Sequence, residues 1–182
     1  MDCVSAYYSL HINCGGGEVK DNDNRTIYEK DNDFGGASYF GQSGKNQGFS
    51  STGHYWDLGE INLYVKKSTS SISGKNPQLY MDAREFPNSL SYYGFCLGNG
   101  NYTISLRRIF DVYIQGLRVL KDFNIEDEAG GANIGIVKNF SVAVTDTTLD
   151  IRFYWAARGI VLPDYGVYGP LISAISVNPG KL

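Results

Sequence analysis

Apolar and polar residues alternate with period two through much of the chain. In Ser9-Leu10-His11-Ile12-Asn13-Cys14, the residues Leu10, Ile12 and Cys14 share one face before Gly15-Gly16-Gly17 ends the run, which predicts a first strand. From Glu18 to Gly53 the chain is polar and rich in Gly, Asn and Asp, with isolated aromatics at Tyr28, Phe34, Tyr39, Phe40 and Phe49; long loops with short strands are expected. Tyr55 to Val65 and Gln78 to Met81 carry further strand-like alternation around Lys66 to Asn76, a Ser/Thr-rich segment expected to be a mobile loop. Phe110 to Ile114 and Leu117 to Leu120 flank Gln115-Gly116, the pattern of a β-hairpin. Val137 to Val144 and Leu149 to Trp155 alternate around Thr145-Asp146-Thr147-Thr148 and are expected to form a second hairpin, and Pro170 to Val177 supplies a closing strand.

Apolar residues nowhere recur at helical spacing for three turns, so very little helix is expected. Paired short strands without βαβ alternation predict an all-β sandwich. The run from Tyr102 to Ile114 is unusual. Tyr102, Ile104 and Leu106 continue in parity with Phe110, Val112 and Ile114, and a straight strand would drive Arg108 into the core face, where an unpaired guanidinium costs several kcal/mol. A break or sharp bend between Leu106 and Arg108 is therefore expected.

Composition narrows the function. At 182 residues the chain suits a single domain, 1–182. Net charge is −3 with scattered Lys and Arg, which argues against a nucleic-acid partner. No apolar run approaches the roughly 18 residues of a membrane helix, and any targeting segment is expected to lie outside this chain. Aromatics reach 14%, including 14 Tyr; most of the tyrosines are expected to pave sheets, with some left for a binding surface. Cys3, Cys14 and Cys96 contain no Cys-x-x-Cys pair, so one disulfide and one further thiol are expected. Cys14 and Cys96 lie in strand-like segments with core-type neighbours, which selects Cys14–Cys96 and leaves Cys3, near a fraying end, for a partner outside the chain. Asn24-Arg25-Thr26, Asn101-Tyr102-Thr103 and Asn139-Phe140-Ser141 are N-glycosylation acceptors if the chain is secreted, which places glycans on Asn24, Asn101 and Asn139.

Catalytic signatures are weak. Gly15-Gly16-Gly17 lacks the Gly-Lys-Ser/Thr of a phosphate loop, Gly41-Gln42-Ser43-Gly44 lacks the spacing of a nucleophile elbow, and His11 and His54 have no partners at motif spacing. Asp21-Asn22-Asp23-Asn24 and Asp31-Asn32-Asp33 do not match a calcium loop. Glu29, Asp57, Asp82, Glu85 and Asp164 are carboxylates that the sequence cannot pair across a glycosidase cleft. The reading is a non-enzyme with no cofactor and no metal.

Tyr8 to Gly16, Gly35 to Ser38, Phe49 to Gly53, Tyr92 to Leu97 and Gly98 to Thr103, followed by Arg108 to Gly116 and Gly166 to Ile175, together resemble the malectin domain of plant leucine-rich-repeat receptor-like kinases over nearly the whole chain. The resemblance implies a jelly-roll-like β-sandwich. It also implies a place in a receptor ectodomain on the extracellular face of the plasma membrane, with the membrane reached only through the parent receptor. Its implied partner is a cell-wall-derived, glucan-like oligosaccharide, with a peptide ligand or co-receptor as the alternative. In the animal founder of the family aromatic faces stack on sugar rings; its tyrosine after Ala-Ser-x falls here on Phe40, the tyrosine after Leu-Tyr-x-x-x-Arg on Glu85 beside Phe86, and an acid on Tyr168. The implied ligand surface comprises Tyr39, Phe40, Arg84, Phe86 and Tyr168, with an altered ligand preference. Where the family continues through a further strand end and loop, Ser105-Leu106 here meets Arg107-Arg108 directly.

Overall fold

The structure, a computed structural model, describes residues 3–33, 35, 38–52, 64–69, 71–73, 75–86, 88–107, 111–121, 128, 130, 134–154 and 171–180. Its strands are β1 (Leu10–Cys14), β2 (Val19–Lys20), β3 (Ile27–Asp31), β4 (Ser38–Ser43), β5 (Gln47–Thr52), β6 (Val65–Lys67), β7 (Asp82–Glu85) and β8 (Ser89–Gly94), then β9 (Gly100–Arg107), β10 (Asp111–Ile114), β11 (Leu117–Leu120), β12 (Val137–Val144), β13 (Leu149–Tyr154), β14 (Leu171–Ile172) and β15 (Ala174–Pro179). They form a six-stranded sheet in the order β12-β9-β15-β1-β3-β2, a second in the order β11-β10-β13-β8-β5-β4, and a small sheet β14-β7-β6.

The period-two pattern explains how the large sheets meet. Leu10, Ile12, Tyr102, Ile104, Leu106, Ile175 and Val177 project inward from the first, and Phe49, Leu90, Tyr92, Val112, Ile114, Leu149, Ile151 and Phe153 from the second, into one buried cluster. The expected β-sandwich is the fold.

Gln115-Gly116 makes the expected hairpin: both residues have positive φ, 51° and 75°, and Ile114 pairs with Leu117 across a two-residue turn of the I′ kind. The second expected hairpin is corrected. β12 pairs with β9 in the first sheet, whereas β13 pairs with β8 and β10 in the second, so residues 145–148 carry the chain across the core between buried Val144 and Leu149. Alternation alone does not separate a hairpin from such an arch, because both keep one face inward. Gln78 to Met81 is also corrected, from strand to a 3-10 turn over Pro77–Tyr80, where Pro sits at its N-terminal end. Lys66 and Lys67, expected in a loop, pair with Ala83 and Asp82.

At the Leu106–Arg107 junction, Leu106 and Arg107 remain in register with Ile175 and Ala174 on one side and with Lys138 and Val137 on the other. Arg108, on which the expected bend turns, lies outside the described residues. β9 and β10 belong to different sheets, so the run from Tyr102 to Ile114 is not one strand. Arg107 is itself buried, with Nη1 donating to the Tyr28 hydroxyl at 3.3 Å and its guanidinium lying against the Tyr28 and Tyr80 rings.

The disulfide assignment is a further correction. Cys3 bonds Cys96, with Cα atoms 5.4 Å apart, and Cys14 is a buried free thiol. Expecting a frayed end missed a backbone tie: Tyr7 N–H donates to Cys96 O at 2.7 Å and Gly98 N–H to Tyr7 O at 2.8 Å, which holds residues 3–8 beside the end of β8. Cys96 has φ 55°, a left-handed turn that takes it out of the strand, while Cys14 points into the core, where burial pushes its thiol pKa up.

Candidate recognition face

The side chains that β8, β13 and β10 do not send inward line the outer face of the second sheet. Register makes the arrangement explicit. Phe40 pairs with Ser50, Ser50 with Ser91, Ser91 with Arg152, Arg152 with Tyr113 and Tyr113 with Arg118, so one row crosses all six strands. The neighbouring rows are Gln42, Gly48, Tyr93 and Asp150 on one side, and Ser38, Thr52, Ser89, Tyr154 and Asp111 on the other. The rings of Phe40, Tyr93, Tyr113 and Tyr154 thus share the face with the hydroxyls of Ser38, Ser50, Thr52 and Ser89, while Ser91 and Asp111 in the same rows are buried. Phe40 is 66% and Tyr154 40% exposed. Phe40 meets Tyr93 edge-on with ring centroids 6.1 Å apart, Tyr93 stacks with Phe95 at 6.1 Å, and Tyr113 meets Tyr154 edge-on at 5.5 Å.

Polar contacts hold these rings in place. Ser50 Oγ and Tyr93 OH lie 3.1 Å apart, Thr52 and Ser89 hydroxyls 2.7 Å, and Arg152 Nη1 donates to Tyr154 OH at 3.4 Å. Arg152 also pairs with Asp150 at 3.7 Å. That tyrosine contact raises the Arg152 pKa, and burial raises Asp150 against the pull of Arg152. The other Asp150 carboxylate oxygen, Oδ1, is buried with no hydrogen-bond partner.

Two depressions sit at opposite ends. One, about 410 Å³, is walled by Phe40, Gln42, Phe95, Thr147, Thr148 and the Cys3–Cys96 disulfide; the other, about 310 Å³, by Tyr113, Gly116, Asp150, Arg152 and Tyr154. Flat apolar rings flanked by hydroxyls, an amide and an Arg–Asp pair suit a ligand with apolar faces and many hydroxyl groups.

The malectin domain family model matches residues 8–175. The chain belongs to the malectin domain family. A relative from Arabidopsis thaliana, "Probable LRR receptor-like serine/threonine-protein kinase RFK1", is 43% identical over 92% of the chain and 18% of its own length. The malectin chain spans about a fifth of the length of such curated relatives. Its fold matches that of the plant receptor-like kinase FER with a TM-score of 0.62 at 20% identity, over 94% of this chain and 42% of that one. It also matches a structure of the plant peptide RALF23 in complex with FER and LLG2, with a TM-score of 0.61 at 19% identity, over 97% of this chain and 40% of that one. No helix among the described residues is long and apolar enough to cross a membrane.

Of the five residues expected to make one ligand surface in this malectin domain, the four described ones, Tyr39, Phe40, Arg84 and Phe86, are not brought together at a surface. Phe40 is exposed. Tyr39, next to it on β4, faces the opposite way and packs on Phe49 with centroids 5.1 Å apart. Phe86 is fully buried and stacks on Tyr64 at 4.5 Å. Arg84 is fully buried: Nε and Nη2 each donate to the Asp31 carboxylate at 2.9 Å, Nη2 also reaches Asp33 O at 3.1 Å, and the guanidinium covers the Phe49 ring at 4.1 Å. Tyr92 OH and Gly15 N–H also donate to that carboxylate. Every oxygen of Asp31 is therefore used inside the protein, and Arg84 and Phe86 are core residues. Tyr168 lies outside the described residues.

Tyr93, Tyr113, Arg152 and Tyr154, which share this face with Phe40, were not among the residues expected there. The signal was present. Leu149, Ile151 and Phe153 point inward, so Asp150, Arg152 and Tyr154 must point outward, as must Tyr113 between Val112 and Ile114. Asn24, Asn101 and Asn139 are all exposed. Asp21 of the Asp/Asn-rich loop accepts the Arg25 and Thr26 amides, closing a turn, and no cluster of three or more metal-ligating side chains occurs among the described residues.

Proposed function

We propose that this chain is a non-catalytic recognition module in the extracellular part of a receptor-like kinase, and that it takes a neutral, glucan-like oligosaccharide from the cell wall across the outer face of the second sheet. The observation carrying this reading is the row of rings and hydroxyls from Phe40 to Tyr113. Pyranose rings present an apolar face to aromatics and equatorial hydroxyls to polar groups, and the face supplies both. At the Tyr113 end, the Arg152–Asp150 pair offers donors and an acceptor for a terminal sugar. Tyr168, from the segment preceding β14, is proposed as a further ring contact. Attachment to the plasma membrane belongs to the parent receptor.

A peptide or co-receptor is the second reading. The fold is shared with FER, which has been solved in complex with the peptide RALF23 and with LLG2. The same exposed rings would then serve as hot spots. Isothermal titration calorimetry against short cell-wall oligosaccharides decides between them. Saturable heats with a β-glucan oligomer support the sugar, and no heat from any oligosaccharide shifts the assignment to the peptide.

A further inference from the structure

The three glycosylation acceptors are not spread evenly over the molecule. Asn101 lies on β9 and Asn139 on β12, adjacent strands of the first sheet, and Asn24 lies in the turn joining β2 and β3 at the other edge of that sheet. The strand pairing shows where the first two point. Asn101 alternates with inward Tyr102 and shares its face with Thr103 and Ser105; Asn139 pairs with Ser105 and Ser141 with Thr103, so both acceptors and both of their hydroxyl residues stand on the outer face. Four residues along β9 and one strand across separate the two asparagines, about 14 Å. Ser105 Oγ donates to Asn139 Oδ1 at 2.6 Å, which fixes the amide by its oxygen and turns the nitrogen, the atom that carries an N-glycan, the other way.

The ground between the acceptors is cut for small groups. A shallow depression of about 710 Å³ runs over residues 101–103, 141–143 and 178–180, where Tyr102, the one ring in its lining, is buried. The second sheet carries no Asn-x-Ser/Thr acceptor on any of its strands.

We infer that N-linked glycans at Asn101 and Asn139 cover the outer face of the first sheet, and that the domain meets its oligosaccharide with the unglycosylated face of the second. The ligand half of this inference rests on the carbohydrate reading above; the glycan half does not. In the modification, the asparagine amide nitrogen bonds to the anomeric carbon of a lipid-pyrophosphate-linked oligosaccharide, the lipid pyrophosphate leaves, and the nitrogen gives up one proton. The small residues of the depression then lie beneath the first sugars. Phe40, Tyr93, Tyr113 and Tyr154 stay open on the opposite side of the sandwich.

The test uses this chain secreted from a eukaryotic host. Glycopeptide mass spectrometry should find sugar on both Asn101 and Asn139, and an unoccupied acceptor at either overturns the inference. Hydroxyl-radical labelling of Phe40, Tyr93, Tyr113 and Tyr154 should change less than twofold when the glycans are removed enzymatically. A threefold or greater rise would mean that glycans shield that face, and would overturn it. Ser50→Asn calibrates the measurement, because it creates Asn-Ser-Thr in the middle of the second face. Its glycan should lower labelling of Phe40 and Tyr93 several-fold and weaken binding of laminarihexaose at least tenfold. Ser50→Asn with Thr52→Ala, which carries no acceptor, should restore the labelling of Phe40 and Tyr93. Asn101→Gln with Asn139→Gln should leave laminarihexaose affinity within twofold, and a tenfold change there refutes the assignment of faces. Failure of laminarihexaose to bind the parent chain counts against the sugar class alone, while occupancy and labelling still decide where the glycans lie.

Discussion

Phe40 and Tyr113 stand on one row of the second sheet, on the same face and four strands apart, joined through Ser50, Ser91 and Arg152. At about 4.8 Å per strand the two rings are roughly 19 Å apart, a span that fits an extended chain of several sugar rings better than a single one. Neither ring belongs to the buried core, so the fold does not require them where they are.

Replacing either ring should therefore cost binding and spare stability. Phe40→Ala and Tyr113→Ala are each expected to weaken oligosaccharide binding by about 1–2 kcal/mol, roughly 5–30-fold in Kd. The urea midpoint should stay close to the parent value. Calorimetry with parallel denaturation curves separates the two effects.

Arg84 should behave in the opposite way. Arg84→Met leaves Asp31 as an uncompensated carboxylate in the core, beside Tyr92 and Gly15, and should lower the unfolding free energy by about 3–5 kcal/mol. Arg84→Met combined with Asp31→Leu should recover much of that loss. Folded protein of either variant should bind sugar as the parent does; a selective loss of affinity at unchanged stability would return Arg84 to the ligand site.

The cysteines separate cleanly. The Cys3–Cys96 bond spans 93 residues, so Cys3→Ser should cost about 2–5 kcal/mol, whereas Cys14→Ala removes only a small buried thiol and should cost about 1 kcal/mol. Peptide mapping without reductant should recover Cys3 joined to Cys96. The bond also walls the Phe40 depression, so Cys3→Ser should weaken sugar binding at that end as well.

His11 makes stability depend on pH. Its ring accepts or donates at 2.8 Å to Ser176 Oγ and packs against Tyr28, and burial lowers its pKa from 6.5 to about 4 against the opposing influence of Asp21. Between those values the unfolded chain binds a proton that the folded chain does not. The contribution is therefore fully present above pH 6.5 and is lost as pH falls toward 4, at most about 3 kcal/mol. His11→Gln should flatten that part of the curve; urea denaturation of both proteins at pH 7 and pH 4.5 measures the difference.

How much could be read beforehand depended on what each residue's pattern specifies. Alternation in Leu10-Ile12-Cys14 and Leu149-Ile151-Phe153 gives the inward faces and hence the sandwich, and Gln115-Gly116 gives its hairpin because a two-residue link with a glycine, which takes positive φ without steric cost, joins two apolar runs. Alternation does not name the partner strand. Val137–Val144 and Leu149–Tyr154 are neighbours in sequence but lie in opposite sheets, a long-range choice made by packing against β9 and β8. Pairing of Cys3 with Cys96 likewise depends on the backbone tie at Tyr7, which leaves no local signature. Arg84 resembled a surface residue because charged side chains seldom lie in cores; its burial became legible only with Asp31, 53 positions away, in view. The recognition face was half visible, through the outward parity of Tyr113, Arg152 and Tyr154, and half hidden, because Phe40 joins that row only through the β4–β5 and β5–β8 pairings.

Recognition by the outer face of the second sheet is tested most directly by NMR titration of the isotopically labelled chain with laminarihexaose. The ring resonances of Phe40, Tyr93, Tyr113 and Tyr154 should shift together and saturate with one Kd, while the backbone amides of Thr103, Ser141 and Asn178 on the first sheet stay unmoved. Shifts confined to the first sheet, or to core residues around Arg84 and Phe86 with none at Phe40 and Tyr113, would contradict it.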